Sequence, residues 1–185
     1  MTVGAPGLAR LSHATRLLHW AVALGVVGML GYGFWLQTLP GGAGKTGSVQ
    51  LHKSFGMLVF ATALARLLWR LREGFPPAGG HRPFERAAAR ALHVFLIAAT
   101  LAMPLTGIGR SLAYARPVSM FGWPVIPKLF AEKQETLYAV CAGIHDWLAL
   151  ALAAAIGLHA AAALKHHLVD RDDTLRRMLP SGGGR

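Results

Sequence analysis

Four long apolar runs, separated by polar segments rich in glycine and proline, divide the chain. The first and third contain no charged residue, the second is interrupted by Lys53 and Arg66, and the fourth contains one acid, Asp146. An α-helix of about twenty apolar residues crosses a hydrocarbon core of about 30 Å. The pattern therefore predicts an all-α membrane four-helix bundle forming a single domain over residues 1–185, with helices over residues 17–36, 51–69, 91–109 and 137–164.

Composition agrees with a membrane protein. Hydrophobic residues make up 54% of the 185 residues, charged residues 15%, and the mean hydropathy is +0.42, which is too apolar for an ordinary soluble domain. The first run is longer than the apolar part of a typical signal peptide and lacks a small-residue cleavage pattern, so we expect it to remain in the mature protein. Cys141 is the one cysteine, which excludes an intrachain disulfide and a C-x-x-C-H haem attachment.

The positive charge is distributed unevenly along the chain. A net charge of +11 would suggest nucleic-acid binding in a soluble protein. Here 13 of the 19 Lys and Arg residues lie before the first run, between the second and third, at the ends of those runs, or after the fourth, which are all on the same side of the membrane. By the positive-inside rule this places both termini in the cytoplasm. Residues 110–135 then form a longer periplasmic loop, and we expect the glycine-rich tail, residues 181–185, to be disordered.

Two histidines of the fourth run, His145 and His159, are fourteen residues apart. Fourteen residues of α-helix rise ~21 Å and return to nearly the same face, so the two imidazoles occupy two depths. His19 lies near the cytoplasmic end of the first run and His52 at the periplasmic end of the second. Depth alone therefore pairs His19 with His159 and His52 with His145.

Two bis-histidine pairs inside a membrane favour two b-type haems. A metal-ion transporter is the rival interpretation, but such a site needs three or four ligands in one cluster, often with carboxylates. Here the histidines divide between two levels and acids are nearly absent. Any one of these histidines could also be an interfacial residue without a ligand, although four at matched depths are harder to explain in this way.

Several other residues have weaker signals. Arg66 follows His52 by fourteen residues and could pair with a haem propionate or extend to the lipid headgroups. His93, at the start of the third run, could be an interfacial residue, bond a quinone carbonyl, or replace His19 as a ligand. Asp146 could accept a proton beside His145 or be a solvated interfacial acid. Lys53 could guide a small anion towards the periplasmic haem, together with the loop cations Arg110, Arg116, Lys128 and Lys133.

Glycines and the remaining histidines are less informative. Glycines in the helices could let a porphyrin approach the backbone or could simply serve helix packing; they are Gly25, Gly28, Gly56, Gly143 and Gly157. We expect His81, His166 and His167, which fall in polar segments, to be solvated.

The order of short motifs resembles that of the bacterial cytochrome b561 family over essentially the whole chain. The matching stretches are Arg16-Leu-Leu-His-Trp20, His52-Lys-Ser-Phe-Gly56, His145-Asp146, Gly157-Leu-His-Ala-Ala-Ala-Ala-Leu-Lys-His-His167 and Asp173-Thr-Leu-Arg-Arg-Met-Leu-Pro180. The resemblance implies that His19, His52, His145 and His159 are the axial ligands of two b haems. It also implies a relation to the cytochrome b subunits of hydrogenases and formate dehydrogenases.

Three functional hypotheses follow. The first is a quinone-linked oxidoreductase that moves electrons between the quinone pool and a periplasmic donor; some members of the resembled family oxidise superoxide and reduce ubiquinone. The second is a membrane-anchoring electron-transfer subunit for a separate dehydrogenase or hydrogenase. The third, a haem-free structural or transport protein, has the least support from the residues.

Overall fold

Four long helices form the structure. A computed structural model describes residues 11–75 and 82–179, so the glycine-rich tail, His81 and Arg10 lie outside the described residues. The helices are α1 (His13–Thr38), α2 (Ala43–Glu73), α3 (Pro83–Ala113) and α4 (Glu135–Leu168), and each is long and apolar enough to cross a membrane. Large apolar side chains such as Leu17 and Leu24 are 71% and 70% exposed, as expected for surfaces that face lipid. The prediction of an all-α membrane four-helix bundle is confirmed.

Each helix is longer than its apolar run predicts. At 26 to 34 residues they exceed what a ~30 Å core requires, because their polar end turns continue beyond the apolar part. Ser12 begins α1 by accepting a hydrogen bond from the Thr15 amide at 3.1 Å. Helices α2 and α3 begin at Ala43 and Pro83, about ten residues before His52 and His93 respectively. The prediction that these two histidines begin their helices was therefore wrong.

A short β-hairpin follows α3, in the segment predicted to form a longer periplasmic loop. Strand β1 (Val118–Met120) pairs antiparallel with β2 (Trp123–Ile126) through a two-residue turn. Both turn residues, Phe121 and Gly122, have positive φ values of 49° and 89°, which is typical of tight hairpins. The Phe121 amide donates to Ser54 Oγ of α2 at 2.8 Å, so the hairpin is fixed against that helix.

The helices pack as two pairs. Helix α1 lies along α2 and α3 along α4, whereas the contacts between the pairs are sparser. Glycine permits the close approach within each pair: a Cβ at Gly25 would meet Val59 at 2.8 Å, and one at Gly109 would meet Cys141 Sγ at 2.9 Å. A seam therefore remains between the two pairs.

The middle of the seam is filled by a small apolar core contributed by all four helices. Leu152 is 1% exposed and lies midway along α4 between His145 and His159. The other buried members of this core are Val22, Val26, Ala63 and Ala99. The core divides the seam into a hairpin end, which contains the β-hairpin, and a terminal end, where α1 begins and α4 ends.

Polar contacts close the terminal end. Buried Arg70 of α2 donates to Thr15 Oγ1 of α1 at 3.1 Å and to the Glu73 carboxylate at 2.7 Å. The C-terminal segment, residues 169–179, folds back over the start of α1, where Trp20 Nε1 donates to the Met178 carbonyl at 2.7 Å. The N-terminal part of α1 is thus held by both α2 and the C-terminal segment.

The C-terminal segment is attached to α4 through His166. The Nδ1 atom of His166 lies 2.9 Å from the Asp172 carboxylate and 3.0 Å from that of Asp170. His166 and His167 are half-buried, so the prediction that they are solvated was wrong. Partial burial alone would raise the pKa of Asp172, but the hydrogen bonds from Thr174 and the proximity of His166 outweigh it and hold that pKa below its usual range.

Candidate functional site

The seam brings the four predicted histidines together as two pairs. At the hairpin end, the ring centroids of His52 and His145 lie 6.4 Å apart. At the terminal end, those of His19 and His159 lie 6.3 Å apart. In both histidine pairs one member comes from the α1–α2 side of the seam and the other from α4. Each histidine pair therefore spans the seam. The pairing by depth agrees with this arrangement.

The separation within each pair suits two imidazoles that ligate one metal ion from opposite sides. A metal–nitrogen bond is about 2 Å long and each ring centroid lies about 1 Å beyond its nitrogen, so the two centroids would be ~6 Å apart. Both observed separations agree with this value. The donor set is purely imidazole at each level, as bis-histidine haem ligation requires.

A cavity of about 450 Å³ surrounds the hairpin-end pair. Its volume lies within the usual range for cofactor sites. Two glycines beside the histidines, Gly33 and Gly107, help to shape it: a Cβ at Gly33 would meet His52 Cε1 at 3.3 Å, and one at Gly107 would meet His145 Cε1 at 3.3 Å. Each hairpin-end histidine thus contacts a glycine of the neighbouring helix in its own pair.

The two hairpin-end histidines differ in their hydrogen bonding. His145 Nδ1 lies 3.0 Å from Thr106 Oγ1 of α3. His52 Nδ1 is buried and has no hydrogen-bond partner among the described residues, although its ring is stacked on Tyr32 at 5.9 Å with an interplanar angle of 17°. The surroundings of the two imidazoles are therefore not equivalent.

Basic side chains line the same cavity. Lys53 extends from α2 and donates to Ser111 Oγ of α3 at 2.8 Å. The other cations of the cavity are Lys45, Arg110 and Arg116. Two further cations predicted to act with them, Lys128 and Lys133, do not line the cavity, and Lys133 instead pairs with Glu135 at 2.7 Å.

Asp146 also lines the cavity, at its exposed edge. Its side chain is 54% exposed and lies 3.4 Å from the Arg110 guanidinium. An ion pair with this exposure contributes little to stability. Asp146 is therefore placed to lower the local positive charge of the cavity.

The terminal-end pair has two further neighbours. The ring of His93 lies 5.4 Å from that of His159, which is closer than the His19 ring. Arg66 is half-buried and places Nη2 3.4 Å from His19 Nδ1, at the depth that its spacing from His52 predicts. The site thus gathers three imidazoles and one guanidinium.

Reasoning from the sequence missed Gly33, Gly107, Thr106 and Tyr32. Among the glycines that it did single out, a Cβ at Gly25 would meet Val59 at 2.8 Å and one at Gly56 would meet Met29 at 3.6 Å, whereas Gly28, Gly143 and Gly157 have open space beside them. No periodic signal distinguishes Gly33 or Gly107 from these, because the contact that matters comes from a neighbouring helix. A search for small or hydroxyl residues at the depth of the histidines would have included Thr106 and Gly107.

Comparison with known proteins identifies the family. The family model for prokaryotic cytochrome b561 matches residues 10–181. The chain belongs to the prokaryotic cytochrome b561 family. Membership implies a b-type haem and a role in membrane electron transfer, and the bis-histidine geometry of both levels fits such a group.

Three similar proteins support this assignment. Cytochrome b561 homolog 2 of Escherichia coli is 38% identical over 164 residues, covering 87% of this chain and 86% of the relative. Cytochrome b561 homolog 1 of the same organism is 30% identical, covering 92% and 97%. A protein of Yersinia pestis named as a probable superoxide oxidase is 31% identical over 135 residues, covering 72% and 76%.

Proposed function

We propose that this cytochrome b561-family protein transfers electrons across the bacterial inner membrane through two b-type haems, one between His52 and His145 and one between His19 and His159. The observation that carries the proposal is the pair of ring separations, 6.4 and 6.3 Å, at two levels of one seam. A b-type haem supplies an iron centre that gains and loses single electrons. The fourteen-residue step along α4 sets the two levels ~20 Å apart, a large part of the membrane thickness.

The orientation follows from charge. The majority of the Lys and Arg residues flank the terminal end, which we assign to the cytoplasm together with both chain termini. The hairpin end then faces the periplasm. Arg66 and His93, beside the terminal-end pair, are available to bind the propionates of a haem or the carbonyl of a quinone.

Superoxide is the proposed electron donor, and ubiquinone the acceptor. The superoxide ion is a small anion, and the hairpin-end cavity combines His52 and His145 with four cations and one acid. Such a cavity raises the local concentration of anions and their rate of arrival. Each superoxide that loses one electron becomes O₂, and two such electrons with two protons convert one quinone to its quinol. The similarity to a named probable superoxide oxidase supports this choice.

The test uses the purified protein with a soluble ubiquinone and a pulse of superoxide, followed by rapid optical spectroscopy. We expect haem reduction without any partner protein, at a rate that falls with ionic strength because exposed charges are screened within about 8–10 Å. Lys53→Gln and Arg116→Gln should slow the reaction and leave the spectrum intact. Lys128→Gln is the matched control, since Lys128 belongs to the same end but does not line the cavity.

If superoxide does not reduce the haems and the protein co-purifies with a larger redox partner, the protein is instead an anchor subunit. A rapid haem reduction whose rate does not change with ionic strength or with the cavity substitutions would exclude electrostatic steering by these cations. The assignment of the haem sites would not be affected.

A further inference from the structure

The Thr106 hydroxyl has two hydrogen-bonding partners. Its Oγ1 lies 2.7 Å from the Met103 carbonyl oxygen and 3.0 Å from His145 Nδ1. A carbonyl oxygen only accepts, so the single hydroxyl proton of Thr106 is donated to Met103. The hydroxyl oxygen then accepts a hydrogen bond from His145, which places the imidazole proton on Nδ1.

This assignment fixes the ligating atom of His145. With its proton on Nδ1, the neutral imidazole presents the lone pair of Nε2. Gly107, the residue next to Thr106, lies against Cε1 of the same ring, where a Cβ would come within 3.3 Å. Two consecutive residues of α3 thus hold the ring at two of its atoms.

The opposite ligand lacks this support. His52 Nδ1 is buried without a hydrogen-bond partner in the part of the chain that the structure describes. A hydrogen bond from the distal N–H makes an imidazole a more basic ligand and orients its ring, and its loss commonly changes metal affinity 10- to 100-fold. Only one of the two hairpin-end histidines has this bond to a hydroxyl.

We propose that Thr106 is a positioning residue that lowers the reduction potential of the haem at the hairpin-end site by accepting a hydrogen bond from His145. The proposal rests on the proposed function, which places a haem between His52 and His145. A more basic ligand stabilises ferric over ferrous iron, so the bond favours the oxidised state. The terminal-end haem, ~20 Å away by the rise of α4, is not affected.

The experiment is a spectroscopic redox titration of Thr106→Val, which preserves shape and removes the hydroxyl. We expect two haems per chain and a higher midpoint potential for one of them. The expected rise is up to about 59 mV, which corresponds to a change of about tenfold in the equilibrium constant between ferric and ferrous haem for a one-electron couple. Thr106→Ser should restore the wild-type potential. The low-spin electron paramagnetic resonance signal of the same haem should shift in the valine variant and recover in the serine variant.

Thr62→Val is the matched control, because the Thr62 hydroxyl also donates to a helix carbonyl, that of Leu58 at 2.8 Å, but is hydrogen-bonded to no histidine among the described residues. If the valine variant does not fold, Thr106→Ala replaces it. Unchanged potentials in a fully loaded valine or alanine variant would overturn the role of Thr106, as would equal shifts in the valine and serine variants. Failure of the proposed function is distinguished separately, since wild-type protein would then lack two low-spin haems before any substitution is made.

Discussion

Gly107 of α3 lies against the imidazole of His145 of α4 so closely that an added Cβ would come within 3.3 Å of Cε1. Contacts this short require the neighbour to move by a few tenths of an ångström. Gly33 has the same relationship to His52 on the other side of the seam. The position of both hairpin-end imidazoles therefore depends on the absence of a side chain at these two glycines.

We predict that Gly107→Ala and Gly33→Ala each displace one imidazole of the hairpin-end pair. The expected result is a lower occupancy or an altered low-spin spectrum for one haem, measured by optical and electron paramagnetic resonance spectroscopy. Gly31→Ala is the control, since a Cβ at Gly31 meets nothing within 4 Å and alanine favours the helix. Equal spectra for all three variants would show that the rings tolerate the added methyl group.

Replacement of either α4 histidine should remove a different haem. We expect His145→Ala to lose the hairpin-end haem and His159→Ala the terminal-end haem, with the other haem retained at reduced occupancy, because each pair bridges the two helix pairs independently. Haem content and midpoint potentials of the two variants provide the measurement. Two haems with unchanged low-spin spectra in either variant would refute the assignment of ligands on α4.

His93 is predicted to serve the terminal-end site without ligating its haem. His93→Ala should retain both haems, whereas quinone reduction or inhibitor binding should weaken, since His93 lies next to His159 while His19 already faces that ring. His19→Ala is the comparison, and it should lose one haem. The opposite result, with haem lost from the His93 variant and retained in the His19 variant, would exchange the two roles.

The interaction of Asp172 with His166 should stabilise the C-terminal segment at neutral pH. The folded-state pKa of Asp172 is lowered, so its contribution is fully present above the unfolded-state value of about 3.9 and is lost as the pH falls through the folded-state value. Asp172→Asn should therefore lower the apparent melting temperature in detergent at pH 7, and the difference from wild type should shrink in strong acid. Asp173→Asn is the control, because Asp173 is 70% exposed and its ion pair is screened.

A melting temperature that is unchanged by Asp172→Asn at pH 7, or lowered equally by both substitutions, would contradict this role of the carboxylate.

The sequence predicted the two levels of histidines because that inference needs only the helical period. A fourteen-residue step returns to the same face whatever the neighbouring helices do, so His145 and His159 could be placed without a structure. Helix ends were predicted poorly, since hydropathy marks the part of a helix that crosses the membrane and not the polar turns that extend α2 before His52. The β-hairpin was missed because its strands, three and four residues long and containing Pro124, are too short to have a pattern of their own.

The features of the site that could not be predicted from the sequence depend on contacts between helices. The depth of His93 was evident, but its approach to His159 depends on how α3 packs on α4. Likewise, Thr106 resembles any other hydroxyl residue in a membrane helix until its distance to His145 is known. Such relationships depend on the rotation and separation of two helices, which the pattern along one of them does not specify.

Whether each histidine pair holds one haem can be measured directly by the haem-to-protein ratio of the purified membrane protein together with its reduced-minus-oxidised spectrum. We expect two b-type haems per chain, both low-spin and both ligated by two histidines. A ratio of one, or protein that folds and carries no b-type spectrum, would contradict this expectation.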